Sequence, residues 1–150
     1  MLRLMTINIG AASRQRAERL LRWLADRPDD AFLLTETSAG PGTTYLLDQF
    51  RRAGYAVVHS RDPGDRGAAL VSRIPLLDEP LPLDNVTIPG RVAAAVLDTQ
   101  PQVCLLGVYV PNRDRGTLMR TGPTPVCTVL PFPRPLRELP ELLPDGSCSP

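Results

Sequence analysis

The sequence predicts an α/β fold with a mixed sheet and two helices on one of its faces. Three observations predict it. Short apolar, partly β-branched runs recur from residue 2 to residue 110, two amphipathic stretches separate the first three of them, and the last runs follow one another with no helix between. The order read along the chain is β-α-β-α-β-β-β-β, which begins as α/β and ends as an antiparallel meander.

Each element has its own signal. Leu2–Ile9 is apolar and closes on Gly10, as a buried strand does. Ser13 is placed to cap a helix in which Ala17, Leu20, Leu21 and Leu24 fall at i, i+3, i+4 and i+7, and Pro28 stops it after Arg27. Ala31–Thr35 is a second strand leading into Glu36. After the Gly40-Pro41-Gly42 loop, Thr43 or Thr44 caps a second helix with Leu46, Leu47 and Phe50 inward and Gly54 past its end. Tyr55–His59 and Ala68–Ser72 are strands three and four, joined by the turn-rich Arg61–Arg66. Residues Ile74 to Pro89 carry four prolines and read as an extended edge segment. Val92–Leu97 and Val103–Val110 complete the strands.

The chain divides at about residue 120. Eight of the 17 prolines fall at positions 123, 125, 131, 133, 135, 140, 144 and 150, so residues 121–150 read as an irregular Pro-rich tail after a domain of residues 1–120. Abrupt loss of helical periodicity there suggests a frameshift near codons 116–122.

Composition narrows the function classes. Net charge is +1, which gives no overall pull toward nucleic acid or membrane. All 17 cationic residues are Arg, a usage that reflects a GC-rich genome more simply than a function. Cys104, Cys127 and Cys148 share no metal-binding spacing, and an odd cysteine count without a secretory leader fits a cytoplasmic protein. No apolar run approaches the roughly 20 residues that span a bilayer. No aromatic residues interleave with the arginines in the manner of a single-strand stacking platform. His59, the sole histidine, reads as an exposed loop residue.

Two polar residues lie where strand ends would bring them into one site. Asn8 ends the first strand and Glu36 follows the second; a carboxylate and an amide oxygen suit a hard cation that keeps water and substrate phosphate among its ligands. The same positions equally suit a turn before Gly10 and a solvated strand end. Arg113, Arg115 and Arg120 after the last strand, and Arg61, Arg66 and Arg73 around the fourth, are either phosphate contacts or solvated surface.

Thr6–Ile9 (TINI), Leu34–Thr37 (LTET), Gly67–Arg73 (GAALVSR), Gly90–Val92 (GRV) and Gly107–Asn112 (GVYVPN) stand in register over residues 2–120. Together they resemble the endonuclease/exonuclease/phosphatase superfamily, which includes exonuclease III and the abasic-site endonucleases. The resemblance implies half of a four-layered α/β sandwich and hydrolysis of a phosphoester with Mg²⁺ or Mn²⁺. It implies Asn8 and Glu36 as metal and catalytic residues, Tyr109 beside the scissile phosphate, Asn112 supporting the site, and Arg113 and Arg115 as weaker phosphate contacts. The substrate is a phosphoester, with DNA, a lipid head group and other esters open. Ile7 and Thr35 depart from the family's aromatic and Gln at those places, and its G-D-x-N and Asp-His motifs do not occur here. The resemblance therefore implies an incomplete copy, inactive by itself. Its sheet would have one face uncovered, inviting self-association or a partner supplying the other half. The alternative is a non-catalytic, truncated or degenerate phosphate-binding protein.

Overall fold

The structure is a computed structural model that describes residues 1–60, 66–78, 81, 83 and 86–110, and the backbone of 126–131. Asn112, Arg113, Arg115 and the remainder of the Pro-rich stretch lie outside the described residues.

Two four-stranded sheets and two helices make three layers. The first sheet has β1 (Leu4–Asn8), β2 (Ala31–Thr37), β4 (Gly67–Ser72) and β3 (Ala56–His59) in that spatial order. β1 runs parallel to β2, whereas β4 is antiparallel to both β2 and β3, so the sheet is mixed as expected. The second sheet places β5 (Leu76–Leu77), β6 (Val92–Leu97), β7 (Val103–Val108) and β8 (Val126–Pro131) side by side, all antiparallel.

Period-two alternation in β2 assigns its two faces. Phe32 and Leu34 turn toward α1 (Arg14–Ala25) and α2 (Pro41–Arg52), packing with Ala17, Leu24, Leu46, Leu47 and Phe50. Ala31 and Leu33 turn the other way, onto Ala93, Ala95, Leu97 and Leu105 of the second sheet. The face expected to stand bare is thus covered by the chain's own second sheet, and the reason for expecting self-association falls with it. The meander of short strands folds back over β2 and β4 instead of extending the first sheet.

Helix ends follow sequence chemistry with one correction. Ser13 caps α1 as expected, its hydroxyl accepting from Arg16 N. α2 begins earlier than Thr43 or Thr44: Gly40 is its cap and Pro41 its first residue, because a proline with fixed φ and no N–H suits the first turn. Its end is a Schellman closure, in which Gly54 N donates to Arg51 O and Tyr55 N to Phe50 O at 3.0 Å each. Gly54 takes φ +84°, and the Tyr55 ring packs edge-on against Phe50 with centroids 5.1 Å apart.

Within residues 121–150 the structure adds one regular segment, β8. Val126–Pro131 pairs with β7 from Val108↔Val126 to Val103↔Pro131. Between Pro125 and Pro131 the run Val-Cys-Thr-Val-Leu contains no proline, so its N–H groups are available to a ladder, and proline stands only at the strand's end.

Candidate functional site

Parallel pairing of β1 and β2 brings their C-terminal ends to one edge of the sheet, with Asn8 opposite Thr35. Two departures from regular backbone open that edge. The chain leaves β1 through Gly10 and Ala11, with φ of +53° and +43°. In β2, Thr35 pairs with Ala68 and Thr37 with Gly67, so Glu36 is an extra residue in a bulge, at φ +52°. Glu36 therefore lies inside the second strand, not just beyond it. The two irregular segments brace each other: Ile9 N donates to Thr35 O at 2.9 Å and Ala11 N to Glu36 O at 2.7 Å.

Around this junction the side chains converge. Asn8 Oδ1 accepts from Gly10 N at 2.9 Å, the turn that the sequence allowed as the simpler reading of Asn8. A Cβ on Gly10 would stand 3.8 Å from Glu36 Oε2 and 3.7 Å from both terminal nitrogens of Arg16, so glycine leaves a gap into which a carboxylate and a guanidinium both point. On the carboxylate's other side, the Tyr109 hydroxyl donates to Glu36 Oε1 at 3.3 Å and accepts from Arg66 Nη1 at 2.9 Å. Tyr109 is buried just past β7, where its N–H donates to Arg91 O and continues the pairing with the Gly90–Val92 segment.

The structure thus joins Glu36 to Tyr109, 73 positions apart in the chain, and sets Asn8 at the Gly10 turn beside them. It adds Arg66 and Arg16 to them. Arg66 was legible only as one of several arginines near the fourth strand, and Arg16 carried no signal beyond its place on a helix. Among the described residues no three His, Cys, Asp or Glu side chains cluster as a preformed metal cage, so a cation here would rely on Glu36, with Asn8 Oδ1 offering its second lone pair. The site fits a magnesium-type ion, which takes one or two carboxylates and retains water.

His59 departs from expectation. It ends β3, half-buried, with Nε2 3.0 Å from Thr37 Oγ1, one residue beyond the Glu36 bulge. Thr37 is fully buried, so the histidine anchors the strand where it resumes its ladder. Burial, then the nearby Arg51, push the His59 pKa below its ordinary value of 6.5. Below that pH the unfolded chain takes up a proton that the folded chain resists, so the fold is destabilised as pH falls. Urea denaturation between pH 7.5 and 5 should show declining stability, and His59→Gln should flatten the decline; an unchanged slope in the variant would assign it elsewhere.

Cys104 is a free, buried thiol, and burial pushes its pKa up, which disfavours thiolate chemistry.

Residues 5–144 match the family described as "Endonuclease/Exonuclease/phosphatase family". This match runs past residue 120 into the Pro-rich stretch. Among solved structures, an AP endonuclease from Archaeoglobus fulgidus is similar at 25% identity with a TM-score of 0.51, covering 65% of this chain and 38% of that one. No curated protein matches. Among the described residues no helix is long and apolar enough to cross a membrane.

Proposed function

We propose, from the premise that this chain belongs to the endonuclease/exonuclease/phosphatase family, that it carries the metal and phosphate side of a centre for phosphodiester hydrolysis. The observation that supports this best is the relay Arg66–Tyr109–Glu36, with Asn8 and Gly10 across the gap. Glu36 would hold Mg²⁺ or Mn²⁺, with Asn8 as its neighbour. Such an ion, when bound, polarises a phosphoryl oxygen and lowers the pKa of coordinated water.

The protein's own groups divide the remaining work. The hydroxyl proton of Tyr109 is directed at Glu36 Oε1, which fixes the carboxylate and leaves Oε2 on the open side. Arg66 holds the Tyr109 hydroxyl and brings positive charge to the same side of the carboxylate, where a phosphate would sit. Asn112, Arg113 and Arg115 complete the phosphate side in this reading, from the segment after Tyr109. Likeness to an AP endonuclease supports DNA as the substrate, and cytoplasmic residence remains part of the proposal.

One observation favours a second reading, phosphate binding without turnover. His59, the single histidine of these 150 residues, is hydrogen-bonded to Thr37 and is thereby held away from proton transfer at Glu36. Loss of a general base typically lowers a rate about 10²–10⁴-fold.

Calorimetric titration with MgCl₂ tests the site. Wild type should bind weakly, Glu36→Gln should lose at least about tenfold in affinity because the site's one carboxylate among the described residues is gone, and Asp78→Asn should match wild type. Equal binding by Glu36→Gln would refute the assignment. Chelator-sensitive cleavage of a phosphodiester, lost in Glu36→Gln, would favour the hydrolase over the binding protein; phosphate binding without cleavage would favour the reverse.

A further inference from the structure

The groove beside Asn8 continues away from Glu36 along α1. A cavity of about 320 Å³ is lined there by Asn8, Ile9, Ala12, Arg16, Arg19 and Leu20. At 3.6 residues per turn, Arg16, Arg19, Leu20 and Trp23 share a sector of roughly 100° on the helix. Trp23 lies one turn beyond Arg19 and is 45% exposed, and the Arg27 guanidinium covers one face of its ring at 3.9 Å. Two other helical arginines are neutralised in place, Arg14 by Glu18 and Arg51 by Asp48, each at 2.9 Å. Among the described residues Arg16 and Arg19 form no ion pair. Arg22 and Arg52 are unpaired there too, but they line no part of this cavity.

We infer that this face of α1 is a track for a single polynucleotide strand, with Arg16 and Arg19 gripping backbone phosphates and Trp23 stacking a base. The inference rests on the phosphodiesterase reading and gives its substrate a direction. From the Glu36–Gly10 junction the strand runs past Arg16 and Arg19 to Trp23, an axial distance of about 10 Å, or about three stacked nucleotides. Arginine forks match phosphate oxygens, and an indole face accepts any base. Aromatic interleaving, not evident in the linear sequence, arises here because the helix brings position 23 in line with 16 and 19. A lipid surface fits less well. Membrane-surface helices sink a continuous apolar face into the bilayer, whereas α1 spends Ala17, Leu20, Leu21 and Leu24 on the protein core and leaves a single aromatic outside.

Trp23 is the chain's only tryptophan, so its fluorescence reads the track directly. The experiment is titration with a 15-residue oligothymidylate in chelator, over a range of salt concentrations. Wild type should show quenching and a salt-dependent affinity. Arg16→Ala/Arg19→Ala should bind roughly twentyfold more weakly at 0.1 M salt, with the slope of log K against log salt shallower by about 1.4, the value for two lost single-strand phosphate contacts. Arg16→Lys/Arg19→Lys should recover most of that slope, which a misfolded variant would not. Arg14→Ala, on the opposite side of α1, should leave the titration unchanged. With a labelled oligonucleotide, Trp23→Ala should cost about fivefold to a hundredfold in affinity. Absence of quenching, an unchanged slope in the double alanine variant, or a Trp23 response to anionic vesicles but not to the oligonucleotide would each overturn the inference. Because the titration is metal-free, its outcome is independent of the Mg²⁺ test of Glu36, and either proposal can fail alone.

Discussion

Replacing Gly42 by alanine is expected to destabilise the fold by about 3–5 kcal/mol, at the upper end for a single added methyl group. A Cβ there would lie 1.8 Å from Ala12 O and 2.7 Å from the carbonyl carbons of Ala12 and Ser13. These are backbone atoms of the segment leading into α1, and Ala12 and Gly42 are both buried. No rotamer change relieves the overlap; the first turn of α2 must lift from the start of α1. That movement would also disturb Ser13, which caps α1, and the Gly10–Ala11 turn beside Glu36. Gly54→Ala is the useful comparison, since nothing lies within 4 Å of its Cβ and only the left-handed φ of +84° resists it, a cost of about 1–2 kcal/mol. Urea denaturation of the two variants should rank them in that order by a clear margin. Equal losses would mean that the helices part easily, and that the close approach is not what holds them.

A second large effect should come from the contact between the two sheets. Leu33 is fully buried on the face of β2 that meets the second sheet, and a Cβ on Gly107 would stand 2.1 Å from its Cδ1. Leu33→Ala should cost about 2–5 kcal/mol, as removal of a buried leucine usually does. Gly107→Ala should cost about 1–3 kcal/mol, because the encroached atom is a side-chain tip with little room to move. The two changes are complementary in shape. In Leu33→Ala/Gly107→Ala the added methyl enters the space that the leucine vacates, so the double variant should lose at least about 1 kcal/mol less than the two single losses added together. Strict additivity would show that the sheets rearrange around Gly107.

Much of the fold was legible because burial imposes periodicity. Ala17 and Leu24 in α1 and Leu46, Leu47 and Phe50 in α2 had to face a core, a requirement written at fixed spacings, and the unbroken apolar run of β2 had to be buried on both faces. The second sheet's place over the first was not legible. It depends on which face of the meander meets Leu33 and Leu70, a long-range choice on which local pattern is silent. β8 was hidden by the prolines around it, whose density outweighed the β-branched run between them. At the site, Asn8, Glu36 and Tyr109 could be named because their neighbours form recognisable short motifs. Arg66 and Arg16 could not, because an arginine in an arginine-rich chain acquires meaning only from what it reaches: a tyrosine hydroxyl in one case, the gap at Gly10 in the other. His59 was misplaced since a histidine at a strand end looks the same whether it meets solvent or a buried threonine.

The bulge at Glu36 bears on how such a site can be lost. Thr35 pairs with Ala68 and Thr37 with Gly67, consecutive residues of β4, so Glu36 is surplus to the ladder. Deleting one codon there would join Thr35 to Thr37 in unbroken register, with every inward side chain still inward. The β2–β4 ladder has no stake in the residue on which the proposed chemistry depends; folding uses only its carbonyl, which accepts from Ala11 N. Selection on folding alone therefore holds the carboxylate weakly. A lineage released from the need for activity could drop Glu36 in a single step and persist as a well-folded relic, betrayed by a strand one residue too short and not by any flaw in its core.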